Sequence, residues 1–418
     1  MFAFLQKVNS VLWSGPLLVL LLGTHIILTV RSGFIQKKVI KGIKLSLRGP
    51  DSFAILATTL AATLGTGNII GVSTAIALGG PGALFWCWVT GIIGMATTYY
   101  EGFFGAKYKT KAGGGPMYIM KNIMKLPMPA YIYAFFMLFV CLGTGCLTQS
   151  NAVADSFLTT FHINPIVTGF IVAIISGLVI IGGKSSIIEV CTKIVPIMCG
   201  MFLIGCVYLL IINRNYIPQS IALVFEKAFE VKSGVCGIMG GTMMAAARYG
   251  IARGLFTNEA GLGSASVFAG AGGNDPYNQG LISMTATFWD TVVICAVTGL
   301  VIISSYLADP SVIEGYSIGG YMTAAFGTIP CIGRIILSAA IFGFAVSTII
   351  GWFFIGEQAA QFLFGKYYEA VIPAVRVVYI VMVFLGAAFS LDIIWETADI
   401  FNVFLIIPNV YMLLRISD

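Results

Sequence analysis

Apolar runs long enough to cross a lipid bilayer recur from end to end of this 418-residue chain. The hydrocarbon core of a bilayer is roughly 30 Å thick, so a helix needs about 20 mostly apolar residues to cross it. Hydrocarbon offers no partner to backbone N–H and C=O groups, and a helix satisfies those groups internally. The chain is therefore predicted to be an all-α integral membrane protein with about eleven transmembrane helices. The predicted spans are residues 11–30, 53–78, 82–105, 130–158, 165–182, 189–213, 235–264, 280–306, 331–363, 372–390 and 394–415.

Composition excludes a soluble domain. Hydrophobic residues make up 58% of the chain and charged residues 10%, with a mean hydropathy of +0.95, whereas soluble domains carry about 25% charged residues. The net charge of +6 could indicate a nucleic-acid partner, but the basic residues lie in short loops between apolar segments, where membrane topology places them. We therefore expect the partner to be the lipid bilayer and no nucleic acid. The nine cysteines contain no CxxC pair and are interpreted as packing residues.

The distribution of lysine and arginine predicts the orientation in the membrane. Both the 31–52 loop and the 106–129 loop are rich in basic residues, and the two lie on one side if the predicted spans alternate. By the positive-inside rule this side is the cytoplasm. We expect a multi-pass protein of the plasma (inner) membrane, with its N-terminus outside and its C-terminus in the cytoplasm. The loops without any basic residue are 79–81, 159–164, 307–330 and 391–393.

The predicted spans fall into two units of five helices, residues 53–213 and 235–415. Because five is odd, the second unit must be inverted relative to the first. A peripheral helix and a cytoplasmic loop (1–52) precede the units, and an external loop (214–234) joins them. Each unit opens with a glycine-interrupted segment, which predicts broken helices at 65–68 and near 254–263. Paired interrupted helices of this kind point to a transporter binding site.

The first interruption, GTGN at residues 65–68, contains two glycines that weaken the helix. A break there frees N–H groups that attract a carboxylate and C=O groups that attract a cation. The alternative is a close helix–helix contact between small residues, which Gly67 and Gly71 would also serve. Thr66 and Asn68 beside the glycines favour the binding interpretation.

Further polar and aromatic candidates lie inside the predicted spans. A charge at the centre of a span costs about 2.5–3.5 kcal/mol on insertion scales, and such residues usually face the bundle interior. Hydroxyls inside helices often bond only a carbonyl one turn back, which is the alternative for the serine and threonine. Core packing is the alternative for the two aromatic residues. The candidates are Gln149, Phe256, Asn258, Glu259, Ser347, Thr348 and Trp352.

Enzyme and channel functions find little support. The only histidines are His25 and His162, far apart, and no catalytic carboxylate pair stands at a recognisable spacing. GTGNIIG spaces its glycines differently from a dinucleotide fingerprint, and the IIGGKSS stretch lacks the first glycine of a phosphate loop at Leu178. We therefore predict no enzyme. Channels generally lack two inverted, interrupted helices, and counterflow of preloaded substrate separates a channel from a transporter.

Several longer motifs resemble the amino acid:cation symporter family, the sodium/alanine or glycine symporters. The resemblance covers residues 8 to 415, with Cys87 standing where the family usually has methionine. The matching stretches are AATLGTGNIIGVSTA (61–75), GGPGALFWCWVTGIIG (79–94), GGGPMYIM (113–120), LTQSNAVADS (147–156), RGLFTNEAGLGSA (253–265) and STIIGWFFIGE (347–357).

The resemblance implies a core similar to the leucine-transporter (LeuT) fold, a 5+5 inverted repeat, with one extra N-terminal helix. It implies symport of small neutral amino acids, alanine and glycine, with sodium as coupling ion, no organic cofactor and function as a monomer. Proton coupling remains the alternative. Sodium is expected at Thr63, Gly65, Ser347 and Thr348. The implied substrate-binding residues are Thr66, Gly67, Asn68, Gln149, Phe256, Asn258, Thr348 and Trp352.

The same resemblance suggests how a zwitterion is held. The substrate carboxylate would meet amides of the first broken helix, and the ammonium would meet carbonyls of the second. The substrate side chain would face Phe256 and Trp352.

Overall fold

The computed structural model describes residues 2–13, 15–230, 242–273, 275–389 and 392–416, which are almost entirely helical. No β-strand occurs among these residues, where a single isolated bridge pairs Thr110 with Gly113. The first ten helices are α1 (Phe2–Leu12), α2 (Pro16–Arg31), α3 (Val39–Ser46), α4 (Pro50–Thr63), α5 (Ile70–Gly79), α6 (Gly82–Lys107), α7 (Pro116–Asn122), α8 (Pro127–Val140), α9 (Thr148–Phe161) and α10 (Pro165–Ile181). The others are α11 (Gly183–Ile212), α12 (Ile217–Ala228), α13 (Met243–Asn258), α14 (Ser264–Ala271), α15 (Pro276–Thr287), α16 (Ala296–Ala308), α17 (Tyr321–Gly327), α18 (Gly333–Phe364), α19 (Tyr368–Ala388) and α20 (Asp392–Ile416).

Two pairs of these helices run on without interruption through π-helical turns. Cys141–Leu147 joins α8 to α9, and Phe288–Cys295 joins α15 to α16. Single π-turns inside longer helices are frequent at functional sites. Both turns lie beside helix breaks described below.

By length and apolar composition, five helical stretches of the described chain qualify as membrane spans, or seven if each bent pair is one span. The predicted class of membrane protein is confirmed, but the count of eleven spans is not. One reason is length, since α10 has only 17 residues. The same reason applies to α13, which has 16 residues. The five stretches are Pro127–Phe161, Gly183–Ile212, Pro276–Ala308, Gly333–Ala388 and Asp399–Ile416.

Several predicted loops contain short helices. The 31–52 loop holds α3, the 106–129 loop holds α7, and the 214–234 loop holds α12. Each has at most 12 residues, too few to produce an apolar run of spanning length. The predicted start of a span at residue 235 lies outside the described residues, and α13 begins at Met243.

Both predicted interruptions fall on helix breaks. The axis of Pro50–Thr63 is bent by 66° from that of Thr66–Gly79, and we call the linking residues Leu64–Ile69 the first break. The residues Glu259–Gly263 between α13 and α14 form the second break. In the second break Gly261 has φ +102° and Gly263 φ +90°, values that L-residues rarely adopt.

Small residues hold the second broken helix tightly against α6. A Cβ added at Gly250 would collide with the Ala83 carbonyl, and one at Gly254 with the Thr90 side chain. Glycine at helix interfaces lets backbones approach closely, which is the usual basis of packing between membrane helices. The close approach brings Glu101 on α6 beside the second break.

Candidate functional site

A narrow cavity of about 30 Å³ lies between the two breaks. Small-molecule sites typically occupy about 300–1,000 Å³, so in this conformation the cavity has room for little more than ordered water and would have to widen to admit a larger ligand. Most of its wall comes from the two breaks and from α4, α9, α13 and α18. One side is closed by α2, by α20 and by Trp13, which directly follows α1. The lining residues are Trp13, Leu21, Ala62, Thr63, Gly65, Gly67, Thr144, Gln149, Leu255, Phe256, Thr257, Glu259, Ala260, Leu262, Thr348, Trp352, Asn402 and Ile406.

The amides of the first break are held by neutral side-chain groups. Thr66 donates to Gln149 Oε1 through its backbone N at 3.1 Å and through its hydroxyl at 3.0 Å. Gly65 N donates to Asn68 Oδ1 at 3.1 Å, and Gln149 Nε2 donates to the Thr144 carbonyl at 3.2 Å. An amide oxygen therefore occupies a position where a ligand carboxylate could accept the same hydrogen bonds.

Oxygen atoms cluster where α4 ends. Thr348 Oγ1 donates to the Leu64 carbonyl at 3.2 Å, and both residues are buried. A Cβ added at Gly65 would lie 3.1 Å from Thr348 Oγ1 and 3.1 Å from Gln149 Oε1, so glycine keeps this corner open. Hydroxyl and carbonyl oxygens are the ligands that hard cations prefer.

The second break is held by a carboxylate outside the cavity wall. Glu101 Oε1 accepts from Gly261 N at 2.9 Å, from Gly263 N at 3.1 Å and from Asn409 Nδ2 at 2.8 Å. Asn409 Nδ2 also donates to the Gly261 carbonyl at 2.8 Å. Glu101 and Asn409 are fully buried. These contacts satisfy backbone groups that bulk water cannot reach.

Aromatic and acidic side chains share the opposite wall. Trp352 Nε1 donates to Glu259 Oε1 at 3.0 Å, and both side chains line the cavity. Phe256 also lines it, with the Arg253 guanidinium 5.2 Å from the centre of its ring. The cavity therefore offers hydrogen-bond donors on one side and a carboxylate with two aromatic rings on the other.

The structure gathers most of the sequence-predicted residues at this cavity. Thr66 contacts the wall through Gln149, and the residues that line the cavity directly are Thr63, Gly65, Gly67, Gln149, Phe256, Thr348 and Trp352.

Three predicted residues point elsewhere. Asn68 Nδ2 donates to Asp290 Oδ1 at 2.6 Å, which ties the first break to the turn after α15. Asn258 Oδ1 accepts from Ala260 N at 3.0 Å within the second break. Ser347 Oγ donates to the Phe344 carbonyl at 2.9 Å and lies 3.3 Å from Met198 Sδ, the local bonding expected of a helical hydroxyl.

Other wall residues were not predicted to bind substrate or sodium. Glu259 is a candidate as an intramembrane charge without a binding role, and its place inside a break is the signal that could have assigned one. Trp13, Leu21 and Asn402 carried no such signal, because their position depends on how α1, α2 and α20 pack against the rest of the chain. The N-terminal helices thus form part of the cavity wall.

Comparisons with known proteins identify the family of the chain. A model of the sodium:alanine symporter family matches residues 1–418. The chain is 39% identical to the sodium/alanine symporter AgcS of Methanococcus maripaludis, over 99% of this chain and 94% of that protein. It is 37% identical to an uncharacterized transporter of Haemophilus influenzae, over 99% of this chain and 93% of the relative.

A solved structure has the same fold. The substrate-bound, outward-open structure of a Na⁺-coupled sialic acid symporter matches 88% of this chain and 81% of its own, with a TM-score of 0.57 and 14% identity. This likeness concerns the arrangement of helices alone. The predicted LeuT-like helical core is confirmed.

Proposed function

The chain belongs to the sodium:alanine symporter family, and we propose that it imports alanine and glycine together with sodium by alternating access. The observation that carries this proposal is the cavity between two helix breaks, with amide donors on one side and acceptor groups on the other. A zwitterion presents the complementary pair of charges. The name of the Methanococcus maripaludis relative, a sodium/alanine symporter, supports the same substrate and ion.

The substrate carboxylate would take the place of Gln149 Oε1 at the first break. Thr66 N–H and the neighbouring Gly67 lie at the amino end of a helical segment, where aligned dipoles favour a negative group. Gln149 would then donate through its amide nitrogen. The substrate side chain would face Phe256 and Trp352, whose bulk would favour a hydrogen atom or a methyl group.

The substrate ammonium would lie at the other end of the cavity. The carbonyls at the carboxyl end of α13 carry the negative end of the helix dipole and face the second break. Asn258, a predicted contact, would act by shaping this break through its bond to Ala260 N.

Sodium would bind where α4 ends. The Leu64 carbonyl and the Thr348 hydroxyl, which lie 3.2 Å apart, would be two of its ligands. Thr63 and the Gly65 backbone would supply further oxygen ligands. Ser347 would join only after its hydroxyl turns away from the Phe344 carbonyl. Sodium and substrate would thus share the first break, which couples their binding.

We further propose that the two five-helix units are inverted relative to each other. The N-terminus would be outside, the C-terminus cytoplasmic and the membrane the plasma membrane. The protein would act as a monomer without an organic cofactor. Reporter fusions at each terminus test the orientation, since an external reporter at the C-terminus would contradict it.

Uptake of labelled alanine into proteoliposomes tests the function. We expect uptake that requires external sodium and collapses when the gradient is dissipated, with counterflow in preloaded vesicles. Equal uptake in sodium-free buffer under a proton gradient would show proton coupling instead. Flux without counterflow would indicate a channel.

A further inference from the structure

Most backbone carbonyls of the second break already accept hydrogen bonds. The Glu259 carbonyl accepts from Leu262 N at 2.9 Å, the Gly261 carbonyl from Asn409 Nδ2 at 2.8 Å, and the Leu262 carbonyl from Tyr133 Oη at 2.7 Å. An ammonium group arriving in the cavity therefore finds little free backbone in this break. Its charge calls for a side-chain acceptor.

Glu259 is the acidic residue among those that line the cavity. Its relative exposure is 5%, and Trp352 Nε1 fixes its Oε1 at 3.0 Å. The other oxygen, Oε2, has no hydrogen-bond partner among the described residues. The Ser264 side chain lies close by, outside the geometry of a hydrogen bond with Oε2. One carboxylate oxygen is thus anchored while the other stays available.

The backbone at Glu259 is also unusual. Its φ is +56°, in the left-handed region that costs a non-glycine residue of order 1 kcal/mol or more. Two other positions of the same break with positive φ, Gly261 and Gly263, are glycines. A glutamate at a position that suits glycine indicates that its side chain is needed there.

Electrostatics points to a cationic ligand. A buried carboxylate without a counter-charge carries a large desolvation cost, and the ion pairs of the described chain do not include Glu259. The Trp352 N–H and the nearby Ser264 hydroxyl are neutral groups and offset only part of that cost. A positively charged group in the cavity would offset more of it.

We propose that the Glu259 carboxylate binds the ammonium group of the substrate and thereby selects amino acids over acids that lack an amine. The inference rests on the proposed function and adds to it the residue that recognises the amine. Oε2 accepts a charge-assisted hydrogen bond from the ammonium, while Trp352 orients the carboxylate through Oε1.

The experiment compares alanine with lactate, in which a hydroxyl replaces the ammonium. Binding of labelled alanine to purified protein in sodium buffer is measured directly, and lactate is measured by competition. In Glu259→Gln, which keeps the size of the side chain and an oxygen for Trp352, alanine should bind about 10- to 100-fold more weakly, by the strength of a charge-assisted bond. Lactate binding should change little, so the alanine-to-lactate preference falls by a similar factor.

Glu357→Gln is the matched control. Glu357 is also a buried glutamate, with its side chain 5% exposed and paired to Arg376 at 3.1 Å, and it does not line the cavity. This variant should keep the wild-type preference for alanine over lactate. Glu259→Asp, which retains the charge one methylene further back, should recover part of the preference and stays informative if the glutamine variant does not fold.

Three results would overturn the inference. One is an unchanged alanine-to-lactate preference in Glu259→Gln. Another is unchanged alanine affinity combined with loss of proton-driven uptake, which would assign Glu259 to proton binding. The third is equal loss of preference in Glu357→Gln. If wild-type protein binds no alanine at all, the proposed function fails first, and that failure is visible before any variant is made.

Discussion

The two helix breaks satisfy their freed backbone groups in different ways. In the first break, Thr66 N–H is bonded by the neutral Gln149 amide, which itself lines the cavity. In the second break, Gly261 and Gly263 are bonded by the carboxylate of Glu101, which does not line the cavity. A ligand can therefore replace the partner of the first break but has no access to the partner of the second.

This difference suggests a division of roles. The first break offers its backbone to the substrate and to sodium, because its present partners are uncharged and face the cavity. The second break is a fixed frame whose backbone is already engaged, and it offers the Glu259 side chain instead. The first break, Leu64–Ile69, is thus the adaptable wall of the cavity. The second break, Glu259–Gly263, is its rigid frame.

The largest effect is expected from breaking the rigid frame with Glu101→Ala. Three buried donors lose their acceptor, and each unsatisfied buried donor costs about 1–3 kcal/mol. We expect Glu101→Ala to lower the apparent melting temperature in detergent strongly and to abolish alanine uptake. Glu101→Gln keeps one oxygen acceptor, so its melting temperature should lie between those of wild type and Glu101→Ala. Glu189→Ala is the control: its carboxylate is exposed and paired with Lys193 at 2.7 Å, so this variant should melt at the wild-type temperature. If Glu101→Ala melts at the wild-type temperature, Glu101 does not stabilise the second break.

The adaptable wall is tested by Gly65→Ala. The added Cβ would lie 3.1 Å from both Gln149 Oε1 and Thr348 Oγ1, in the corner assigned to the ligands, while φ of −110° suits alanine. We expect alanine binding to weaken more than about tenfold, or 1.4 kcal/mol, with little change in melting temperature. In the control Gly23→Ala, the added Cβ meets no atom within 4 Å, and alanine binding should be unchanged. Normal binding by the Gly65 variant would place the ligands elsewhere.

A smaller effect is expected from Gln149→Ala, which removes the amide oxygen that accepts from Thr66 N–H. Alanine affinity should fall several-fold, while the protein inserts and purifies normally. Direct binding of labelled alanine measures the change. Unchanged affinity would leave Gln149 as a helix–helix hydrogen bond, typically worth about 0.6 kcal/mol.

The smallest effect on alanine itself is expected from Phe256→Ala, which enlarges the cavity next to the second break. Valine and leucine should compete better than with wild type, because each extra methylene that the enlarged pocket admits is worth about 1–3 kcal/mol, and alanine itself should bind only slightly more weakly. A competition series with unlabelled amino acids measures the ranking. Phe170→Ala, at a position 55% exposed on α10, should keep the wild-type ranking. If Phe256→Ala also keeps the wild-type ranking of amino acids, the Phe256 ring packs in the core and does not select the substrate.

The fold and the site were predictable to different depths. Apolar run length indicated the helical membrane class, and glycine placement indicated both breaks, because these signals are local in sequence. The helices α1, α7 and α12 produced no such signal, since each is too short to span a bilayer.

Cavity-lining residues in recognisable motifs, such as Gln149 and Trp352, could be found from the sequence. The partners of Glu101 could not, because Gly261 is 160 residues away and Asn409 is 308 residues away. Asn68 is a related case: this polar residue inside a break was predicted to bind substrate, which stays a prediction, and the sequence did not indicate its bond to Asp290 across 222 residues. Long-range pairing of buried polar groups depends on tertiary packing that no local pattern records.

Hydrogen–deuterium exchange of the reconstituted protein tests the division between the breaks most directly. Peptides covering 59–75 and 255–268 are followed in sodium alone, in sodium with alanine, and in potassium with alanine. We expect slower exchange at the first break only when sodium and alanine are both present, and slow, unchanged exchange at Gly261 and Gly263 in all three conditions. Ligand-dependent protection confined to the second break, or equal protection in potassium, would contradict this division.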